Sequence, residues 1–258
     1  MVGFLVKKGF FDIWDNLLMI VIMNLGYIVP LLLILASGAL GEFSVALSII
    51  LQILAVLCFS MYSLGISAVT FGYSRYQKGG FKAFSEAFRY HIGHGFLHFF
   101  LCLAIAFLIM FVMPFYFSIG NLFGIFMGML MFWLMVVIVL ALQYFYPLCF
   151  HMEADGAFKT LKKCFIIVAD NLGVTVLLLL RTIVDFVLTV LTATMIPGLC
   201  GISLIRMDNV RILMKKYDFL EANPDATKKD INWEDLLYEE RQLVGPRSLK
   251  GMIFPWKN

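Results

Sequence analysis

Two groups of residues in this sequence have types and spacings that could do chemistry, and a third could dock a partner. All four histidines, His91, His94, His98 and His151, fall beside apolar stretches. The first three follow an i, i+3, i+7 spacing that puts them on one face of a helix, with Cys149 and Glu153 close to His151 in the chain. Neutral imidazole is a common transition-metal ligand, so His91, His94, His98 and His151 are candidate ligands for a metal or haem. The competing reading is that polar residues gather where water begins, and Gly93 and Gly95 interrupt the shared face; on balance no cofactor is expected. Arg181 and Asp185 stand four apart inside an apolar stretch. An ionisable pair at membrane depth is expensive and turns toward the bundle interior or a wet cavity. It reads either as a self-neutralised pair that fixes packing or as part of a solute or proton path. Near the C-terminus, Ile253, Phe254 and Trp256 sit among Arg247, Lys250 and Lys257. Aromatic anchors of this kind carry much of the energy of interfaces and suit a headgroup layer, so this segment is expected to dock on the bundle's own cytoplasmic face, on the lipid interface or on a partner.

Much other chemistry is excluded by what the sequence lacks. It contains no Walker A, GxSxG, HExxH or kinase signature, so no catalytic residue is assigned and no enzyme is expected. No nucleic-acid-binding module is visible. The five cysteines are odd in number and include no CxxC, which suggests neither a disulfide framework nor a zinc knuckle.

The elements that position these residues are set by composition. The chain has 258 residues, 62% hydrophobic and 14% charged, and a mean hydropathy of +0.91. Soluble domains are about a quarter charged, so an ordinary water-soluble globule is excluded. A helix crosses the hydrocarbon with roughly 20 apolar residues. Spans are expected at about 16–37, 45–73, 96–117, 122–150 and 171–195, with a short sixth beginning near Leu199. Of the 20 Lys and Arg, none falls in the loops near Glu42, Ser118 and Gly198, and Arg181 alone lies inside a span. Cytoplasmic loops carry the Lys and Arg excess, so both termini are expected in the cytoplasm. The sixth span rests on parity, since without it the ten bases after Ile205 would face outside.

Two segments look alike. FKAFSEAFRYHIGHG precedes the third span and FKTLKKCFIIVADNLG the fifth, each with apolar residues at three- and four-residue steps, the pattern of a helix lying in the membrane interface. FLVKKGFFDIWDN is a looser third copy. An all-α polytopic bundle of six spans is expected, built from three repeats of interfacial helix, elbow and hairpin, with elbows near Asn16, His94 and Asn171. Residues 1–217 form this bundle. Residues 218–258 form a cytoplasmic tail with a short helix that Asn232 caps and a docking C-terminal segment.

Trp14, Asn24 and Pro30, then GISAVTFGYSRYQKGG, and later YPLCFHME ahead of a second basic helix and an Asn elbow, together resemble the YesL-like family of bacterial integral membrane proteins over roughly residues 10–217. The resemblance implies a bacterial inner-membrane location and an association with carbohydrate importers of the ATP-binding-cassette type, and it carries over no catalytic residue. The chain departs from it in a longer segment after Pro30 and in its polar tail. The leading expectation is a non-enzymatic accessory or scaffold subunit, with membrane lipids, importer subunits or a second copy as partners. The alternatives are a small transporter or channel using the Arg181–Asp185 pair, and a histidine-rich metal- or haem-binding membrane protein.

Overall fold

The structure, a computed structural model, describes residues 2–78, 80–193 and 195–247. Within them the regular elements are all helices: α1 Val2–Asp15, α2 Leu17–Leu25, α3 Ile28–Leu40, α4 Val45–Ser74, α5 Phe81–Phe107, α6 Met113–Ser118, α7 Leu122–His151, α8 Ala157–Asp170, α9 Leu172–Leu191, α10 Gly198–Ala222, α11 Trp233–Leu236 and α12 Tyr238–Val244. A π-helical segment, Leu108–Val112, joins α5 to α6 just ahead of Pro114.

Five helical stretches are long and apolar enough to cross a membrane: Leu17–Leu40, Val45–Ser74, Phe81–Ser118, Leu122–His151 and Leu172–Leu191. The chain is therefore an all-α polytopic helical membrane protein. Side chains that would be costly in water cover the distal parts of these helices, among them Leu32, Leu35, Ile50, Phe111, Phe126 and Trp133, all exposed. Their surroundings are lipid, which accepts them without cost. The distal turns are capped by side chains. Ser44 accepts from the Leu47 amide, and Asn121 accepts from the Gly124 amide at 2.8 Å. Small residues let helices approach closely. Gly65 sits against the Phe84 ring, Gly95 against Met61, and the Gly124–Gly128 pair against the Tyr116 carbonyl and the Phe117 ring.

The repeat has a backbone signature. Asn16 lies between α1 and α2 at φ −113°, ψ 18°, and Asn171 between α8 and α9 at φ −132°, ψ 42°. His91, inside α5, breaks the helix at φ −124°, ψ 17°. Both asparagines donate from Nδ2 to the carbonyl four residues back, Asn16 to Asp12 at 2.8 Å and Asn171 to Ile167 at 3.1 Å. The three elbows thus lie at Asn16, His91 and Asn171. The middle one comes three residues earlier than the Gly93–Gly95 pair suggests, because those glycines continue the helix instead of bending it.

The third hairpin differs from the other two. Its return helix, α10, is outside the set of apolar spans, yet it is the most enclosed helix, packing on α1, α2, α4, α7 and α9. It runs antiparallel to α9. At one end Asn171 donates to the Tyr217 hydroxyl at 2.6 Å, and at the other the Gly198 amide donates to Thr189 Oγ1 at 3.0 Å. The chain therefore returns to the elbow end, although the expected sixth span is not among the helices apolar enough to cross. The turn between α9 and α10 stops short of the distal end. Asn24, in the second turn of the first span, donates to the Met195 and Pro197 carbonyls at 2.9 and 3.0 Å and accepts from the Cys200 amide at 2.9 Å. Gly198 has φ +65° and its Cα faces the Asn24 amide, so both conformation and space require glycine there.

The charges of α10 are matched by the helices around it. Lys8 of α1 is fully buried, bonded to Asp12, 2.9 Å from Asp208 and 4.3 Å from the Tyr76 ring centroid. Burial opposes the charge on Lys8, but Asp208 and Asp12 outweigh it and hold its pKa above the ordinary value. Arg211 bonds the Ser74 carbonyl and pairs with Glu240 at 2.6 Å. Lys216 pairs with Asp170 at 3.0 Å, and Lys228 and Tyr217 also bond Asp170. Burial works against the Asp170 carboxylate, yet these three partners hold its pKa well below the usual range.

The tail folds back on the bundle. Asn232 caps α11 by accepting from the Glu234 amide at 3.1 Å. Leu237 and Val244 then pack on Phe4, Phe11 and Ile212. Arg247 pairs with Asp15 at 2.8 Å, and Lys7 donates to the Gly245 carbonyl at 3.0 Å. The last helix of the bundle continues to Ala222, five residues past the expected boundary at 217.

Topology is testable by labelling. In a cysteine-free background, single cysteines at Glu42 and Ser118 are expected to react with an impermeant thiol reagent added outside whole cells. Cysteines at Lys78, Lys159 and Lys228 are expected to react only after permeabilisation. Outside labelling at Lys228 would mean that α10 does not return to the elbow side.

Candidate functional site

Because the α9–α10 hairpin ends level with Asn24, polar side chains of α10 meet the inner faces of α4, α5 and α7 in the elbow half of the bundle. A cavity of about 440 Å³ lies between them, also lined from α9. His98 is seven residues beyond the His91 elbow, which puts the cavity about 10 Å along the helix. Its polar wall is Ser63, Ser67, His98, Gln143, Ser203 and Arg206, and Phe59, Leu142 and Phe186 supply apolar surface. Pro147, also in the lining, lies within α7. It has no N–H, so the Gln143 carbonyl loses its helical donor.

Most of these polar groups are bonded to one another. Ser203 Oγ lies 3.0 Å from Thr70 Oγ1 and 3.3 Å from Ser67 Oγ. Tyr27 OH and Ser63 Oγ are 3.1 Å apart, and His98 Nδ1 and Ser60 Oγ are 3.0 Å apart. Tyr146 donates to the Ser60 carbonyl at 2.7 Å and stacks on His98. Two residues stand out. Gln143 is 1% exposed, and neither its Oε1 nor its Nε2 has a hydrogen-bond partner. Arg206 has no ion pair or hydrogen bond among the described residues, and its Nε is buried without a partner. A buried polar group without a partner is rare and calls for a reason. Here both line one cavity.

The Arg181–Asp185 pair forms as expected, with Arg181 Nε 2.7 Å from Asp185 Oδ2. Asp185 is buried, and its carbonyl accepts from Thr189 Oγ1 at 2.7 Å. The pair does not line this cavity. Arg181 lines a crevice of about 60 Å³ with Leu5, Val6 and Asn209, while Thr182, Ile183 and Phe186 turn to the cavity. The Arg181–Asp185 pair thus lies outside this cavity, which holds a different arginine. In the sequence, Arg206 reads only as a mark against the sixth span. The signal is nonetheless present: Arg181 has a carboxylate at i+4, whereas Arg206 has Ile202, Ser203, Asn209 and Val210 at i±4 and i±3, so its own helix cannot neutralise it.

The four histidines separate. His98 belongs to the cavity. His151 Nδ1 faces the Pro147 carbonyl of its own helix at 2.8 Å, and its ring packs on Phe71. Only His91 and His94 remain together, and Cys149 joins them, their donor atoms all within 4.8 Å of one another. Glu153 lies beside His151 in a second cavity of about 470 Å³ lined by Arg75, Arg211 and Lys215. Asp155 pairs with Lys159 at 2.7 Å and Lys163 at 2.5 Å, which hold its carboxylate below the usual range. Ile253, Phe254 and Trp256 lie outside the described residues.

Compared with family models, curated proteins and solved structures, the chain matches none.

A packing role for the Arg181–Asp185 pair is tested by a double-mutant cycle. Arg181→Leu strands the buried Asp185 carboxylate and should destabilise the protein by roughly 2–3 kcal/mol, below the figure for a fully buried pair because Arg181 keeps 29% exposure. Arg181→Leu with Asp185→Leu should recover most of the loss, since apolar replacement of a buried pair is close to neutral. Thermal unfolding in detergent measures both. A double variant no more stable than the single one would remove the packing role.

Proposed function

We propose that this chain is a non-enzymatic protein of the bacterial inner membrane, with both termini cytoplasmic, that binds a small organic anion in the cavity between α4, α5, α7, α9 and α10. Arg206 carries the reading. Arg206 is half-buried with its Nε fully enclosed, an ion drawn out of water is costly unless it is paired, and this side chain lines a cavity with no carboxylate among the described lining residues. An anionic group on the ligand supplies the missing charge, and arginine is suited to bind carboxylate or phosphate by two parallel bonds. Gln143 adds a free amide donor and a free acceptor, which recognise a neutral polar group on the same ligand. The volume, about 440 Å³, lies within the range of small-molecule sites. Phe59, Leu142 and Phe186 accept an apolar portion.

This reading favours the transporter alternative over a pure scaffold, but with Arg206 in place of the Arg181–Asp185 pair. It is also compatible with the accessory role that the YesL-like resemblance suggests. Carbohydrate would then reach Arg206 as a sugar acid or sugar phosphate, because a neutral sugar leaves the charge unanswered.

Full-length protein in mild detergent should be challenged with carboxylates, sugar acids and sugar phosphates, each beside its neutral amide or alcohol counterpart. An anion is expected to raise the unfolding temperature saturably, and its counterpart is not. At 100-fold its Kd, a ligand stabilises by about 2.7 kcal/mol. Arg206→Met should abolish the response while leaving the unliganded protein as stable as wild type or more so, because it removes a half-buried charge that has no partner among the described residues. Uptake into proteoliposomes then separates carriage from sensing. If Arg206→Met instead destabilises the empty protein as Arg181→Leu does, Arg206 is structural and the reading fails.

A further inference from the structure

Three donors of metal-ligating type converge where α5, α7 and α8 meet at the elbow end. His91 and His94 come from α5 and Cys149 from α7, with one donor atom from each within 4.8 Å of the other two. The fold brings them there for separate reasons. The break at His91 (φ −124°, ψ 17°) bends α5 where the interfacial part meets the span, and His94 follows one turn later. The His91 ring packs edge-on against Phe150, the neighbour of Cys149, with centroids 4.9 Å apart. Cys149 is buried, and its sulfur is free. Within hydrogen-bond reach, His94 Nε2 lies 3.1 Å from Thr160 Oγ1 of α8.

We propose that His91, His94 and Cys149 bind a transition-metal ion of the zinc type, with a fourth position left to water or an exogenous ligand. Two imidazoles and a thiolate suit zinc and disfavour magnesium and calcium, which take oxygen ligands. Zinc holds nitrogen at about 2.0–2.1 Å and sulfur at about 2.3 Å, so tetrahedral donors stand about 3.3–3.7 Å apart. Closing from 4.8 Å asks only for side-chain adjustment of about an ångström. On binding, the Cys149 thiol gives its proton to solvent and the thiolate ligates the ion. Metal-bound histidines commonly anchor their other ring nitrogen by a hydrogen bond; Thr160 fills that part for His94 when the ion takes Nδ1. The site is independent of the anion cavity, whose histidine, His98, is bonded to Ser60.

Cobalt(II) reports the site directly, because tetrahedral thiolate-bound cobalt shows visible ligand-field bands and a near-ultraviolet sulfur-to-cobalt band. Full-length protein in detergent should be stripped with a chelator, titrated with Co2+ and back-titrated with Zn2+. The expected result is one Co2+ per chain with the sulfur band, displaced by Zn2+. Cys149→Ser should abolish the sulfur band, and His91→Ala or His94→Ala should weaken binding at least tenfold. Thr160→Val should weaken it about 10–100-fold, as loss of an orienting partner does. His98→Ala and His151→Ala should leave stoichiometry and spectrum unchanged. Unfolding temperature and monodispersity are measured for each variant to separate ligand loss from misfolding. Absence of stoichiometric Co2+ uptake by the wild type, or a sulfur band that survives Cys149→Ser, overturns the proposal.

Discussion

A helix carrying Arg206, Asp208, Arg211, Lys215 and Lys216 runs through the middle of an otherwise apolar bundle, and the surrounding helices are arranged around the charge it brings. Ions removed from water must be paired or they cost several kcal/mol each. Asp208 is met by Lys8, Arg211 by Glu240 and the Ser74 carbonyl, and Lys216 by Asp170 and the Asn171 side chain. These partners come from α1, α4, α8 and the tail. The interfacial helices and the tail are therefore counter-charges for α10 as much as they are membrane anchors. Lys8 shows the point. On an interfacial helix it would ordinarily extend its ammonium to water, but here it is wholly enclosed because Asp208 lies beneath it.

The same constraint accounts for the asymmetry of the three repeats. In the first two, an elbow leads into a hairpin of two long apolar spans that reach the distal end, with turns capped by Ser44 and Asn121. In the third, the outgoing helix α9 is apolar and the return helix is not. The return helix starts at Gly198 and carries its first charge at Arg206, so its charges lie toward the elbow end. Its turn is fastened to Asn24, well inside the first span. The polar interior is thereby confined to the elbow half, and the cavity forms where the start of α10 meets α4, α5 and α7.

Much of this was legible in the sequence, and what was not follows from the same physics. Spans are visible because roughly 20 apolar residues in a row match the thickness of the hydrocarbon layer; the ends of the first, second, fourth and fifth fall within about four residues of those expected, whereas the third helical stretch starts at Phe81 and no sixth is apolar enough to be counted. The elbows at Asn16 and Asn171 were legible because asparagine there bonds the carbonyl four residues back. His91 was not, since neighbouring glycines suggested a later bend and glycine in lipid often serves packing instead. Burial of Lys8 was illegible, because the Lys7-Lys8 pair reads as a cytoplasmic flank and its partner Asp208 lies 200 positions away. The histidine cluster was read from one helix's periodicity. Periodicity reports a shared face and not what stands opposite it, so Cys149 of α7 replaces His98 and His151 beside His91 and His94. For the tail, the cap at Asn232 was readable from local chemistry, but docking on Phe4 and Phe11 required the fold.

Why Arg206 stays unpaired follows from this accounting. Each flanking charge has a partner on a different element, so those partners, held by α1, α8 and the tail, cannot turn toward the cavity without stranding Asp208, Arg211 or Lys216. The nearest carboxylate on α10 itself, Asp208, is two residues on, which on a helix points to another face, and it is engaged by Lys8. Nor can the cavity's own hydroxyls neutralise a guanidinium; they offer dipoles, and several are already spent on one another. Among the described residues Arg206 thus stays unpaired, while Asp208, Arg211 and Lys216 are paired on other elements. A local rule broken within a structure that otherwise obeys it marks function more often than error. Here the broken rule is a missing negative charge, which the proposed anion would supply.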